Sequence, residues 1–185
     1  MMFTKHDLRQ QYRRIRNEVP VSQRNAESEI VCRKLLTSEM YQNAEAVFCY
    51  VSFGSEFETA SIIENALVDN KIVAVPKLID GKMIFCRIHP GTEYIPNRFG
   101  ISEPADADEL LPKEISTVLL VLPGMCFDDE NGRVGYGGGF YDRYIEKHGQ
   151  DTKFMIVAPA LSCQYSHVKI PMEAHDIRPD IVIFP

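Results

Sequence analysis

The sequence predicts a single-domain α/β fold: an open, mostly parallel sheet with helices on both faces, that is, a Rossmann-like three-layer sandwich. Two observations predict this fold. Short, wholly apolar runs alternate along the chain with segments whose apolar residues recur at helical intervals. The chain has 185 residues, of which 45% are hydrophobic and 25% charged, which is typical of one soluble domain, here residues 1–185.

The chain opens with two predicted helices. Thr4 and Asp7 have the spacing of an N-terminal capping pair, which predicts a helix over residues 5–18. Pro20 interrupts that helix, and Ser22 is expected to cap a second one. We assign the apolar face of the second helix to Ile30, Val31, Leu35 and Leu36.

A predicted βαβ unit follows the helical pair. Residues 46–51 are apolar and rich in β-formers, which predicts a central strand covered on both faces. Thr59 begins a helical stretch, and residues 72–75 return as a strand that ends at Pro76. Residues 83–88 then predict a third strand after a turn.

The second half of the chain contains a long connection and three more strands. The stretch 90–112 holds prolines and glycines and is predicted to be a connection whose length indicates a functional loop. Residues 118–122, 154–157 and 181–184 predict strands, and residues 140–147 predict a helix. No internal repeat or linker divides the chain.

Composition limits the function classes. A formal net charge of −6 disfavours a general nucleic-acid binder, because such proteins need a basic surface to replace phosphate counterions. The five cysteines are scattered without a C-x-x-C pair, which predicts mostly buried thiols in a reducing compartment. No apolar run resembles a signal peptide or a membrane span, so we expect a cytoplasmic location.

A glycine-rich run is predicted to follow the strand at 118–122 and to lead into the helix at residue 140. Residues 133–142 read Arg-Val-Gly-Tyr-Gly-Gly-Gly-Phe-Tyr-Asp. Glycines permit positive φ, so successive N–H groups can turn towards one anionic oxygen, and the helix start adds partial positive charge. Arg133 can add a guanidinium contact. These features predict a phosphate-binding loop.

The alternative is that the glycines only build a tight turn. Arg133 before them and Asp142 after them favour phosphate together with a hard cation. The run is neither a Walker loop nor a G-x-G-x-x-G fingerprint, because its glycine spacing differs and no Gly-Lys-Ser/Thr follows.

The longer motif resembles a known family. Phe127-Asp128, followed by residues 132–143, is similar to the signature of the 5-formyltetrahydrofolate cyclo-ligases, also called 5,10-methenyltetrahydrofolate synthetases. Lys5-His6-Asp7-Leu8-Arg9 and Ser55-Glu56-Phe57-Glu58-Thr59 agree with that family at the expected distances. The resemblance implies an ATP- and Mg²⁺-dependent ligase that phosphorylates the formyl oxygen of 5-formyltetrahydrofolate. N10 then closes the ring, which yields 5,10-methenyltetrahydrofolate, ADP and phosphate.

The resemblance also implies site residues. Lys5 and Arg133 would act in catalysis, and Asp142 and Asp180 would bind the metal. The residues expected to bind ATP are Lys5, Arg9, Arg133, Val134, Gly135, Tyr136, Gly137, Gly138, Gly139, Phe140 and Tyr141. Those expected to bind the folate are Val51, Glu56, Tyr136, Gly137, Gly138, Gly139 and Phe140.

Simpler interpretations stand beside these roles. Lys5 and Arg9 could belong to a solvated basic helix face that also carries Arg13 and Arg16. Glu56 could be a solvated loop residue, with Glu58 as a weaker folate candidate, and Asp180 could merely precede a strand.

Two other functions are considered. A non-catalytic folate or nucleotide binding module could keep the glycine loop, but Lys5, Arg9, Arg133 and Asp142 argue against it. A sugar-phosphate isomerase or acyltransferase on a similar sheet would use Glu56 or Glu58 and work without ATP. We expect a monomer that acts on 5-formyltetrahydrofolate, with or without a polyglutamate tail, and binds neither nucleic acid nor membrane.

Overall fold

A computed structural model describes residues 3–185 and contains five α-helices and ten β-strands in that range. The helices are α1 (Lys5–Glu18), α2 (Val21–Leu36), the one-turn α3 (Glu39–Gln42), α4 (Ala60–Val68) and α5 (Phe140–His148). The strands are β1 (Ala46–Cys49), β2 (Ile72–Ile79), β3 (Lys82–Ile88), β4 (Tyr94–Pro96), β5 (Ser102–Pro104), β6 (Val118–Val121), β7 (Cys126–Phe127), β8 (Arg133–Val134), β9 (Phe154–Pro159) and β10 (Ile181–Ile183).

Six of these strands form the central sheet, in the order β10-β9-β6-β1-β2-β3. All neighbours are parallel except β2 and β3, which form an antiparallel hairpin. The predicted βαβ unit is confirmed, since β1 and β2 are parallel and α4 connects them. The sheet is therefore mostly parallel, as predicted.

Helices cover both faces of this sheet. Alternate strand residues such as Val47 and Leu119 pack with α2 and α4 on one face. Their neighbours Phe48 and Leu120 pack with Tyr144 and other residues of α5 on the opposite face. Because both faces are covered, β1 and β6 are buried along their whole length, which explains their continuous apolar runs. The three-layer α/β architecture is confirmed.

Helix α1 begins as the sequence predicts, with a capping box between Thr4 and Asp7. It does not lie on the central sheet. Leu8 and Tyr12 pack against Met125 and Val134, so α1 docks on the small antiparallel pair β7–β8. The side of α1 opposite Leu8 and Tyr12 therefore lies near the carboxyl ends of the central strands.

Three local predictions are wrong. Ser22 does not cap α2, which begins at Val21 after Pro20 and has no side-chain cap. Ile30 is 41% exposed rather than part of the buried face of α2. Strand β2 continues past Pro76 to Ile79. Its pairing with β1 ends at Ala74, so Pro76 pairs with β3 alone and its missing N–H breaks no bond to β1.

Two further boundaries differ in the second half of the chain. The glycine run does not follow β6 directly, because β7 and β8 intervene and the run links β8 to α5. The predicted connection 90–112 contains its own antiparallel hairpin, β4–β5. Among the described residues, no helix combines the length and apolar character needed to cross a bilayer.

Candidate active site

A cavity of about 1110 Å³ opens at the carboxyl ends of β1 and β6. From β1 the chain crosses to β2 on one side, and from β6 it crosses to β9 on the other. The adjacent strands β1 and β6 therefore form a topological switch point, where open α/β sheets bind their ligands. Residues on its wall come from α1, the loop after β1, the β4–β5 hairpin, the glycine run and the segment 173–176.

The glycine run forms one wall of the cavity and ends at the start of α5. Gly139 is the N-cap of α5, with φ of 62°, and no side chain caps the helix. Its first-turn N–H groups are therefore available to an anion, and the helix dipole adds partial positive charge. Gly137 has φ of 98°, a conformation that side-chain-bearing residues rarely adopt. The donor set fits a phosphate group.

Arg133 lies beneath this loop and is almost fully buried. Its Nη2 donates to Asp142 Oδ1 at 2.7 Å, and the two side chains are 5% and 19% exposed. Nη1 donates to the carbonyl of Pro123 at 3.2 Å, and Nε donates to the carbonyl of Ile177 at 3.3 Å. These bonds use three of the five guanidinium N–H donors, and Arg133 lines the cavity, so its predicted phosphate contact stays a prediction.

Asp142 links the glycine loop to the C-terminal segment. Its Oδ1 accepts from Arg133 and also from the N–H of Ile177 at 3.0 Å. Asp176 directly precedes Ile177, so this bond also holds a second carboxylate, that of Asp176, at the cavity wall. Both protein hydrogen bonds of Asp142 fall on Oδ1, which leaves Oδ2 for a ligand.

Lys5 lies at the mouth of the cavity and bonds to that second carboxylate. Its ammonium donates to Asp176 Oδ2, and Glu173 Oε1 lies 3.7 Å away. Burial acts to raise the pKa of Asp176, but the hydrogen bonds from Lys5 and from the Glu173 N–H outweigh it, so the pKa is lowered. Asp176 is therefore held as a carboxylate beside Lys5.

Two arginines of α1 reach the glycine loop. Arg9 donates from Nε to the carbonyl of Gly135 at 2.8 Å. Arg16 is only 6% exposed and donates from Nη1 to the hydroxyl of Tyr136 at 2.6 Å. The interpretation of α1 as a solvated basic face is therefore wrong for Arg16, because this side of the helix faces the cavity.

Glu56 faces Tyr136 in the cavity. One of its carboxylate oxygens accepts from the N–H of Phe53 at 2.9 Å, and the Tyr136 hydroxyl lies near enough to act on its pKa. Burial raises the pKa of Glu56, and the Tyr136 hydroxyl, the bond from Phe53 and the charge of Arg16 offset only part of that rise. Glu56 is half-buried at the cavity wall, and a carboxylate that keeps lone pairs free suits a ligand with paired N–H donors.

Most of the predicted site residues line this cavity, and two do not. Val134 is fully buried between α1 and β7. The carboxylate of Asp180 accepts from the N–H of Ile156 at 2.7 Å, at the side of β9, and Asp180 is absent from the cavity wall. Glu58, the weaker folate candidate, bonds to Ser52 and to the N–H of Ala60 at the start of α4.

Sequence reasoning missed part of the wall. The β4–β5 hairpin contributes Asn97, Phe99, Ile101 and Glu103, and the C-terminal segment contributes Asp176. The unusual length of the connection 90–112 was the one signal for the hairpin. No local sequence pattern indicated that Asp176 lines the cavity and that Asp180 does not.

Among residues 3–185, no group of three or more His, Cys, Asp or Glu side chains is arranged to hold a metal ion. Mg²⁺ at a nucleotide site commonly uses one or two carboxylates and completes its shell with phosphate and water. Asp142, with Oδ2 free of protein partners, and Asp176 are the carboxylates that fit such a site.

Comparisons with known proteins agree on one family. A model of the 5-formyltetrahydrofolate cyclo-ligase family matches residues 1–185. The 5-formyltetrahydrofolate cyclo-ligase of Escherichia coli (strain K12) is 34% identical over 156 residues, covering 82% of this chain and 84% of the relative. The enzyme of that name from Haemophilus influenzae is 30% identical over 177 residues, covering 94% and 93%.

Solved structures extend the similarity to the fold. The 5,10-methenyltetrahydrofolate synthetase of Aquifex aeolicus superposes with a TM-score of 0.81 at 26% identity, covering 97% of this chain and 88% of that one. A 5,10-methenyltetrahydrofolate synthetase from Mycoplasma pneumoniae gives a TM-score of 0.74 at 20% identity and shares the fold.

Proposed function

The chain belongs to the 5-formyltetrahydrofolate cyclo-ligase family, and from that membership we propose that it converts 5-formyltetrahydrofolate to 5,10-methenyltetrahydrofolate, using ATP and Mg²⁺. One observation carries the proposal. A single cavity joins an uncapped helix start, suited to phosphate, with a half-buried carboxylate, suited to a pterin. ATP and the folate can therefore meet within it.

ATP is proposed to bind along the glycine run. The N–H groups at the start of α5 would hold its phosphates, and Lys5 and Arg9 would supply positive charge from α1. Gly135, Gly137, Gly138 and the side chain of Phe140 also line this part of the cavity. Val134 would contribute only by supporting the loop from the core.

The folate is proposed to bind opposite, on the side of β1. Glu56 would accept hydrogen bonds from the pterin ring, and Val51 would pack against it. Phe99 and Ile101 of the β4–β5 hairpin line the same cavity and offer apolar surface to the ring system. The raised pKa of Glu56 fits a carboxyl that gains a donor partner only when the ligand arrives.

Mg²⁺ is proposed to bind at Asp142 and Asp176 rather than at Asp180. Asp142 and Asp176 line the cavity, whereas the Asp180 carboxylate is bonded to β9. When bound, the metal would neutralise phosphate charge during transfer. Arg133 would act by holding Asp142 and the loop in place.

The proposed reaction has two steps. The formyl oxygen of the folate attacks the γ-phosphorus, the bond from that phosphorus to ADP breaks, and the oxygen carries the phosphoryl group. N10 then attacks the activated carbon and gives up its proton, and the carbon–oxygen bond breaks as phosphate leaves with that proton, which leaves the methenyl bridge. The protein aligns the reacting atoms and stabilises charge with Lys5, Arg9 and the loop N–H groups.

A direct assay tests this function. Protein supplied with ATP, Mg²⁺ and 5-formyltetrahydrofolate should form the methenyl chromophore and ADP in equal amounts. Binding of both ligands without turnover would favour a binding module instead. Turnover that proceeds equally without ATP would overturn the ligase assignment.

A further inference from the structure

Arg16 is a buried cation on a helix whose neighbouring arginines are exposed. Arg16 is 6% exposed, whereas the side chain of Arg14 is 83% exposed and pairs with Glu18 on the surface. A buried guanidinium is costly unless its donors are satisfied. The partners of Arg16 therefore indicate what its burial achieves.

Those partners come from two segments that are distant in sequence and both line the cavity. From Nε, Arg16 donates to Ser55 Oγ at 3.1 Å, in the loop after β1. From Nη1 it donates to the Tyr136 hydroxyl at 2.6 Å, in the glycine run. Ser55 in turn donates to Asn17 Oδ1 at 2.5 Å, so α1 holds the loop after β1 through two consecutive residues.

Tyr136 completes a chain of contacts that leads to Glu56. Its hydroxyl accepts from Arg16, which leaves its own proton available to an acceptor, and the Glu56 carboxylate lies nearby. The guanidinium carbon of Arg16 also lies 5.5 Å from the centre of the Tyr136 ring. Arg16, Tyr136 and Glu56 thus form one polar network in the cavity wall.

We infer that Arg16 is a positioning residue that couples the two halves of the site, because it ties the glycine run, where ATP is proposed to bind, to the loop that presents Glu56 to the folate. This inference rests on the proposed function and goes beyond it. A ligand that orders one loop will reduce the cost of ordering the other. ATP and the folate should therefore strengthen each other's binding through Arg16.

The charge of Arg16 has a second effect, on the ionisation of Glu56. Five groups face this carboxyl: Arg16 from α1, Tyr136 from the glycine run, Tyr50 at the end of β1, Tyr141 from α5 and Glu58 in its own loop. Arg16 is the cation among them, and it lowers the pKa of Glu56 against the effect of burial. Loss of that charge should raise the pH at which Glu56 takes up its proton.

The test compares Arg16→Gln and Arg16→Lys with Arg14→Gln, an exposed arginine of the same helix, as the matched control. Initial rates are measured over a grid of ATP and 5-formyltetrahydrofolate concentrations. In the unchanged protein the KM for ATP should fall as the folate concentration rises. In Arg16→Gln this dependence should disappear, and kcat/KM for the folate should fall about tenfold or more, as expected for loss of a charged hydrogen bond.

Two further readouts separate positioning from general structural damage. The acid limb of the pH profile for the folate should move to higher pH in Arg16→Gln and stay in place in Arg16→Lys, which keeps the charge. In Arg16→Lys the KM for ATP should still no longer depend on the folate concentration. A single ammonium replaces a planar guanidinium that bonds to Ser55 and Tyr136 at once. If Arg16→Gln does not fold, Arg16→Lys carries the test.

A double-mutant cycle with Tyr136→Phe tests the network itself. Because Arg16 acts through Tyr136, the double variant should lose little more than the worse single variant. Additive losses, or a mutual dependence that is unchanged in folded Arg16→Gln, would overturn the inference. An unchanged protein with no ATP-dependent turnover would instead overturn the proposed function, so the two failures are distinguishable.

Discussion

At the scale of single residues, buried Arg133 and half-buried Asp142 form an ion pair under the glycine loop. The pair connects β8, the start of α5 and, through the carbonyl and N–H of Ile177, the C-terminal segment. Its charges are largely removed from water, so neither can be deleted without exposing the other to an apolar environment. Arg133 thus supports the loop as well as the chemistry.

Arg133→Ala should therefore unfold more easily as well as lose turnover. We expect its free energy of unfolding to fall by roughly 3 kcal/mol, because a mostly buried carboxylate is left unpaired. Urea denaturation measures the loss. Arg14→Ala is the matched control: it removes an exposed pair with Glu18 and should change stability by less than about 0.5 kcal/mol. Equal stability of the two variants would contradict the buried-pair description.

Glu56 is a carboxyl group whose ionisation should oppose folding. Burial raises its pKa in the folded protein, so its contribution to stability is full below the unfolded pKa and is lost as the pH rises through the folded pKa. Glu56→Gln should accordingly be more stable than the unchanged protein near neutral pH and bind the folate more weakly. The stability difference should vanish once the pH falls below the ordinary glutamate value of 4.5.

Urea denaturation at neutral and acidic pH tests this prediction. Glu64→Gln, on the exposed side of α4, is the control and should leave stability unchanged at both pH values. If Glu56→Gln proved less stable near neutral pH, the carboxylate would be a net stabilising group and its assignment to ligand binding would weaken.

At the scale of elements, the glycine run depends on backbone conformation. A Cβ at Gly137 would meet Arg9 Nε at 3.6 Å, an ordinary contact, so space is not the constraint there. Its φ of 98° is the constraint, because residues with side chains rarely adopt it. Gly91 has a similar φ of 87° and lies away from the cavity, with nothing within 4 Å of an added Cβ.

Gly137→Ala should therefore weaken ATP binding, while Gly91→Ala should not. Both changes should cost about 1 kcal/mol of stability through backbone strain. Calorimetric titration with a non-hydrolysable ATP analogue should show affinity reduced by about tenfold for Gly137→Ala alone. Equal affinities in the two variants would show that the loop conformation is not needed for nucleotide binding.

The β4–β5 hairpin is an element that the sequence showed only as a long connection. Lys77 on β2 anchors it, donating to the carbonyls of Pro104 and Ala105 at 2.6 and 2.7 Å. Glu103 adds bonds from the N–H of Leu78 and from Asn97. These contacts fix the base of the hairpin to the sheet and leave Phe99 at the cavity wall.

At the scale of the whole molecule, the cavity is assembled from segments that span most of the chain, from Lys5 to Asp176. A ligand bound there contacts elements that separate on unfolding, so it should stabilise the entire domain. ATP with Mg²⁺ at about 100 times its Kd should add about 2.7 kcal/mol. Thermal denaturation measures this shift, and sodium sulfate at matched ionic strength is the control. Identical melting with ATP and with sulfate would argue against a specific nucleotide site.

The sequence by itself determined the features that depend on local patterns. Apolar runs predicted β1 and β6, the Thr4 and Asp7 pair predicted the start of α1, and the glycine run identified the family and one wall of the site. These signals are local, since strand burial, capping and loop conformation depend on neighbouring residues.

Only the tertiary structure decided which side chains reach the cavity. Arg16 is buried and bonds to Tyr136 because α1 docks on β7–β8 through Leu8 and Tyr12. This docking is a contact between distant parts of the chain. Asp176, rather than Asp180, lines the cavity because of the path of an irregular segment without periodicity. Long-range packing determines both the burial of Arg16 and the position of Asp176, and no residue spacing within either segment predicts that packing.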